Sequence, residues 1–237
     1  MTCSEVITFL ESKADPVNVA GMARFGISSK GTLGISMPVV RELAKKLKKN
    51  HSLALELWET EIHEARILAG FIADPKKMTE AEMESWVVGF DSWDICDQVC
   101  TNCFNYTPWA FKKAEEWCHR EEEFVRRAGF VIQVGISVHL KKVEDERLLP
   151  FFDLMVTYSN DNRNFVKKAI NWSLRTLGKR SAFLFPVAVQ VAAQLKTMES
   201  ASARWIGSDA FRELIEKELN GTLPFLRLRV TKSRVTG

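Results

Sequence analysis

A tryptophan and an aspartate lie four residues apart at Trp93 and Asp97, a spacing that could bring a ring and a carboxylate to one ligand. Each residue of an α-helix advances about 100°, so the two side chains share one helical face. A roughly opposite face carries residues that suit a core: Ile95, Cys96, Val99 and Cys103. The pattern predicts that Trp93 and Asp97 point away from the core, toward a groove or solvent. The residues alone favour a plainer alternative, in which Trp93 packs against a neighbouring helix and Asp97 is a surface charge.

A second candidate is a stripe of cations around an aromatic ring. Its members are spaced four, three and four residues apart and share one helical face: Lys168, Trp172, Arg175 and Lys179. Cations bind phosphates and an indole offers a stacking surface, a combination found in proteins that bind nucleic acids. Two interpretations stay open: a phosphate-binding stripe, or a solvated face on which lysine stems cover the tryptophan.

The cysteines and histidines supply no convincing metal or nucleophile site. Cys96, Cys100 and Cys103 lack the paired Cys-x-x-Cys spacing of zinc and iron–sulfur sites, so we expect small buried residues. The histidines show no pairing with a nucleophile: His51, His63 and His139. The sequence holds no Gly-rich phosphate loop, nucleophile elbow or His-Glu-x-x-His motif. We therefore expect no metal and no organic cofactor.

Helical signals are dense along the chain, and strand signals are nearly absent. Thr79 with Glu82 forms a capping-box pattern, and Thr107 precedes a proline that would occupy the first helical position. Turn chemistry predicts breaks at five places: Asp74-Pro75, Thr107-Pro108, Ser159 to Asp161, Gly178 and Asn220-Gly221. The segments between these breaks run roughly 10 to 20 residues, the usual length of helices in globular proteins.

An internal repeat is visible. The residues Phe124 to Ala128 recur 41 residues later as Phe165 to Ala169, and Ile206 to Ala210 is a weaker echo at the same interval. Ala65 to Ala69 is an earlier relative at a different spacing. This period is typical of HEAT and armadillo units, each of which is a helix pair. We therefore predict an all-α, HEAT-like or armadillo-type solenoid of stacked antiparallel helix pairs with a concave groove.

Composition is that of a globular protein with a core. Of the 237 residues, 46% are hydrophobic and 27% are charged, which excludes global disorder. The longest apolar runs are too short for a bilayer, and no secretory signal opens the chain. Because five cysteines accompany no export signal, reduced thiols and a cytoplasmic location are expected.

The charge is mild but unevenly distributed. A formal net charge of +3 is too small to identify a nucleic-acid partner. We expect one helical-repeat domain over 1–219, followed by a basic tail over 220–237. The tail carries four cations and no acid after residue 220, as in a solvated, mobile end or, less often, an arm for phosphates: Arg227, Arg229, Lys232 and Arg234.

Taken in order, several short motifs resemble the AlkD-type DNA alkylation repair family. They span about residue 20 to residue 215: Met22 to Phe25 with Leu33 to Ile35, Trp93-Asp94-x-x-Asp97, Arg127-Ala128, and Lys168 to Arg175. The resemblance implies a HEAT-like solenoid that holds duplex DNA in a basic concave groove. It also implies a monofunctional glycosylase that releases cationic N3- or N7-alkylated purines, needs no cofactor, and works as a monomer without flipping the lesion into a pocket.

Carried over residue by residue, the resemblance assigns Asp97 as the catalytic aspartate. Trp93 and Trp172 match the tryptophans that line the lesion site, and Arg127 matches an arginine at the DNA backbone. Phe25 stands where the family has a groove tyrosine and lacks its hydroxyl. The family's usual motif has two tryptophans before the first aspartate, whereas Ser92-Trp93 supplies one. Some family members have little or no glycosylase activity, so the rival interpretation is a non-catalytic HEAT module that binds DNA or a protein.

Overall fold

A computed structural model describes residues 1–226, which are all-α and contain no β-strand. The chain divides into two compact units, 1–113 and 114–237, with the boundary inside one helix. The predicted tail cations from Arg227 to Arg234 lie outside the described residues, and the single domain expected over 1–219 stays a prediction. None of the described helices is both long and apolar enough to cross a membrane.

The first unit is built from short helices. They are α1 (Cys3–Glu11), α2 (Pro16–Ala23), α3 (Met37–Leu47), α4 (His51–Glu59), α5 (His63–Ile72), α6 (Glu80–Val88), α7 (Trp93–Asn102) and the start of α8 (Ala110–Glu116). Helix α5 is central, because α3, α4 and α7 all pack against it. The rings of Trp58 and Trp86 stack at 4.4 Å between centroids, and Phe90 and Phe104 complete this aromatic core.

The second unit has longer helices. After the end of α8 come α9 (Glu123–His139), α10 (Leu149–Tyr158), α11 (Asn164–Gly178), α12 (Leu184–Lys196) and α13 (Ala201–Leu219). Helix α11 packs against α9, α12 and α13, and α12 packs against α13. Gly178 ends α11 where an added Cβ would lie only 2.7 Å from the side chain of Ala188, so a glycine permits this close approach.

Most predicted boundaries are confirmed, and one is wrong. Thr79 and Glu82 form the expected reciprocal capping box at the start of α6. Helix α8, however, begins at Ala110 and not at Pro108. The hydroxyl of Thr107 donates to the carbonyl of Phe104 at 2.8 Å, closing the preceding turn instead of capping the next helix.

The sequence repeat corresponds to a structural one. Helices α9 and α11 have their N-caps at Glu122 and Arg163, which are 41 residues apart, and the rings of Phe124 and Phe165 lie 5.5 Å apart. The third echo is displaced, because α13 is capped by Ser200, one helical turn earlier than a constant period requires. In the first unit the interval is shorter, since α5 and α7 have N-caps 30 residues apart.

A repeated arginine ties helices together within each unit. The Nε atoms of Arg66 in α5 and Arg126 in α9 each donate to the carbonyl of a residue eight positions earlier, at 3.2 and 3.0 Å. Each guanidinium also lies against an aromatic ring, that of Trp58 at 4.9 Å or Tyr158 at 4.6 Å. Both arginines are the fourth residue after their N-cap, so these cations serve packing rather than ligand binding.

Candidate functional site

Trp93 and Asp97 lie in the first and second turns of α7, but their exposure differs. Trp93 is half-buried, and its Nε1–H donates to the backbone carbonyl of Phe25 at 3.1 Å. Asp97 is 8% exposed, so the expectation that it faces solvent or an open groove is wrong. The predicted core face is confirmed, with Ile95, Cys96 and Val99 at most 1% exposed.

The start of α7 is organised by Asp94 rather than by a side-chain cap from Ser92. Ser92 is the N-cap residue, but its hydroxyl donates to Asp94 Oδ1 at 2.7 Å instead of accepting from the helix. The same carboxylate oxygen accepts the amide of Ile95 at 3.0 Å. These bonds fix the first turn of α7 and therefore the orientation from which the ring of Trp93 projects.

Trp93 lines a cavity of about 490 Å³ that lies wholly within the first unit. Its walls are mainly apolar and include Met22, Phe25, Met37 and Ile67. Phe25 is 68% exposed, which is unusual for so large an apolar ring. A surface cavity with an apolar lining and a few polar groups is the usual form of a ligand site.

His63 and Asp94 form a buried pair at this cavity that the sequence did not reveal. His63 Nε2 lies 2.8 Å from Asp94 Oδ2, and the two side chains are 5% and 14% exposed. Burial alone would lower the pKa of His63, but the hydrogen bond and charge of Asp94 outweigh it, and the pKa is raised. Burial alone would likewise raise the pKa of Asp94, yet the bond to His63 lowers it. His63 begins α5 and Asp94 follows the first residue of α7, so the 30-residue interval between these helices was the available signal.

Glu64 holds one wall of the cavity in place. Its carboxylate is 1% exposed and accepts three backbone amides, from Leu33 at 2.9 Å, Gly34 at 2.7 Å and Ile35 at 3.1 Å. Gly34 has φ +78, and a Cβ there would lie 2.2 Å from the carbonyl oxygen of Asp15. Only glycine fits this backbone, so the loop that follows Phe25 depends on Gly34 and on one buried anion.

The cationic stripe of α11 is largely neutralised. Lys168 is exposed and Trp172 is half-buried. Arg175 forms a salt bridge with Glu213 of α13, and Lys179 Nζ lies 2.6 Å from the same carboxylate. The expected row of three available cations is therefore wrong for Arg175 and Lys179, whose charges are compensated by an acid from a neighbouring helix.

Arg127 is built into the second unit rather than presented on its surface. It is 5% exposed, and its Nη1 donates to the carbonyl of Phe165 at 2.5 Å. The predicted contact with a DNA backbone would therefore need part of this guanidinium to be accessible. Residues 1–226 contain no cluster of three or more His, Cys, Asp and Glu that could hold a metal ion.

A family model described as DNA alkylation repair enzyme matches residues 6–213. The chain belongs to this family. The AlkD-type resemblance is thereby confirmed at the level of the family. The roles carried over to individual residues stay predictions.

Fold comparison gives the same architecture. A solved structure described as "a new family of proteins related to the HEAT-like repeat DNA glycosylases with affinity for branched DNA structures" superposes with a TM-score of 0.79. It is 20% identical, and the match covers 95% of this chain and 97% of that chain. At that identity the match concerns the fold alone, and it confirms the predicted HEAT-like class. No curated protein matches the chain.

Within this DNA alkylation repair protein, the His63–Asp94 pair predicts a pH-dependent stability. A raised pKa means that His63 contributes stability fully present below its unfolded value of about 6.5 and lost as the pH rises through the folded value. Asp94, with a lowered pKa, contributes stability that is present above about pH 4 and lost as the pH falls through its folded value. The pair therefore stabilises most between these limits.

Asp94→Asn is expected to lower the free energy of unfolding by about 2 kcal/mol near pH 6, and by less above the raised pKa of His63, where the histidine is neutral. Urea unfolding followed by circular dichroism at pH 6 and pH 9 measures both values. Asp91→Asn is the control, because this neighbouring acid is exposed. An equal loss at both pH values would contradict an ionic pair.

Proposed function

We propose that this protein hydrolyses the N-glycosidic bond of cationic N3- or N7-alkylated purines in duplex DNA. The observation that carries the proposal is the placement of Trp93 on an open cavity, with Asp97 one turn behind it on α7, in a chain of the DNA alkylation repair enzyme family. A buried carboxylate beside an indole suits a substrate that is cationic before reaction and becomes more so at its sugar.

The proposed mechanism needs no general acid, because an alkylated purine already carries a positive charge and leaves readily. As the glycosidic bond breaks, positive charge develops on the deoxyribose, as in other glycosyl transfers. The Asp97 carboxylate stabilises that charge and orients the attacking water. Trp93 and Trp172 present ring faces to the same charge.

Phosphate contacts fix the register of the DNA without reading its sequence. Lys168 is the cation of the α11 stripe best placed for this role, because it is exposed and forms no salt bridge among the described residues. Arg175 and Lys179 would have to exchange Glu213 for a phosphate, and Arg127 would have to extend its contact beyond the carbonyl of Phe165.

Base release is the deciding experiment. Purified protein is incubated with duplex DNA treated with a methylating agent, and the free bases are separated by chromatography. Release of 3-methyladenine or 7-methylguanine is expected, with none from untreated DNA. Binding to methylated duplex without any release would overturn the glycosylase proposal.

A second candidate is a non-catalytic protein that binds DNA by its shape. It is favoured by the description of the similar solved structure, whose family has affinity for branched DNA. Gel-shift titrations with a four-way junction and with a duplex of equal length distinguish the candidates. At least tenfold preference for the junction, together with no base release, would favour this second function.

A further inference from the structure

The most concentrated positive charge in the first unit lies on and just after α3. Residues 41 to 49 contain five cations and one acid, a balance of +4 that exceeds the formal net charge of +3 for the whole chain. The acid, Glu42, pairs with Lys46 at 2.8 Å. The cationic density of this segment is therefore not compensated locally.

One of these cations has a structural role. Lys49 Nζ donates to the carbonyls of Phe71 and Ala73, at 2.9 and 2.8 Å, and so caps the end of α5. The remaining three, Arg41, Lys45 and Lys48, are exposed and form no salt bridge with any acid in residues 1–226. They differ in this from Arg175 and Lys179, which Glu213 neutralises.

These three cations form one stripe. Arg41, Lys45 and Lys48 are separated by four and three residues, so they follow a single face over roughly 10 Å. They line a groove of about 410 Å³ that includes the ring of Phe71 and the side chain of Asn102 but no acid. The opposite face of α3 buries Val40 and Leu43, so the helix that carries the stripe is anchored in the core.

The groove and the Trp93 cavity are joined by the same three helices. The cavity is lined by residues from the N-terminal ends of α3, α5 and α7: Met37, His63 and Trp93. The groove is lined by residues at or near the other ends of these helices: Lys48, Phe71 and Asn102. The rise of an α-helix places the two sites about 12 to 16 Å apart, less than one turn of duplex DNA of about 34 Å. One DNA molecule can therefore contact both.

We propose that this groove, lined by Arg41, Lys45 and Lys48, is a phosphate-binding site for the backbone of DNA whose reacting nucleotide lies at the Trp93 cavity. This inference rests on the proposed function, because it assumes that DNA approaches that cavity. A stripe of about 10 Å matches the axial rise of about three phosphates along one strand, at 3.4 Å each. Its cations fix the position of the duplex and carry no sequence information.

The test is the salt dependence of DNA binding. The variant Arg41→Gln/Lys45→Gln/Lys48→Gln keeps most of each stem and removes three charges. The control Lys13→Gln/Lys76→Gln/Lys77→Gln removes three exposed charges from the same unit outside the groove. Fluorescence anisotropy with a labelled duplex of about 20 base pairs gives the dissociation constant from 50 to 300 mM salt. The slope of log affinity against log salt is expected to fall in magnitude by 2 to 3 in the groove variant, at about 0.9 per phosphate contact, and by less than 1 in the control.

Two results would overturn the proposal: an unchanged slope in the groove variant, or an equal change in both variants, which would show a general effect of net charge. Circular dichroism and urea unfolding establish that both variants fold. The parent protein separates this failure from that of the proposed function. If the parent releases methylated bases while the groove variant keeps its slope, only the groove is wrong; if the parent binds no DNA, the proposed function fails first.

Discussion

Asp97→Asn is expected to reduce the release of 7-methylguanine from methylated duplex DNA by about a thousandfold, while DNA affinity stays within a few-fold of the parent value. Asparagine has nearly the shape of aspartate, so a residue that is 8% exposed is replaced with little change in packing. What is lost is the negative charge opposite the cationic sugar of the transition state. A charge that acts only there lowers the rate of the chemical step and not the binding of the substrate.

Single-turnover kinetics with excess enzyme isolates that step. Asp91→Asn serves as the matched control, since it removes the same charge from an exposed position two residues before Trp93. The control is expected to release base at the parent rate. Parent-like release by Asp97→Asn, or an equal loss in Asp91→Asn, would exclude the assigned role.

Glu64→Ala is expected to lower the free energy of unfolding by about 4 kcal/mol, the largest stability effect anticipated for a single side chain of the first unit. The substitution leaves the amides of Leu33, Gly34 and Ile35 without their acceptor, and each orphaned buried donor costs about 1 to 3 kcal/mol. The loop also accepts Asn18 Nδ2–H at Gly34 and Asp15 N–H at Leu33, so its release loosens α2 as well.

Urea unfolding monitored by circular dichroism measures this loss, and tryptophan fluorescence reports the environment of Trp93. Glu59→Ala is the control, because Glu59 is an exposed glutamate at the end of α4. A loss of less than 1 kcal/mol for Glu64→Ala would mean that water satisfies the loop amides and that Glu64 does not organise the cavity.

The helical architecture of this protein could be predicted because its signals are local. Core faces such as Ile95, Cys96 and Val99 follow from the period of one helix, and the capping box of Thr79 and Glu82 follows from residues three apart. The error at Thr107 arose where two local structures compete. Its hydroxyl can cap a following helix or close the preceding turn, and packing selected the carbonyl of Phe104.

The sequence by itself determined the fold class, the repeat from α9 to α11, and the common face of Trp93 and Asp97. Tertiary structure alone decided which charges are available. It paired His63 with Asp94, compensated Arg175 and Lys179 with Glu213, and left Arg41, Lys45 and Lys48 exposed. The reason is physical: helical periodicity fixes the direction of a side chain on its own helix, whereas burial and ion pairing depend on residues some thirty to forty positions away that only packing brings into contact.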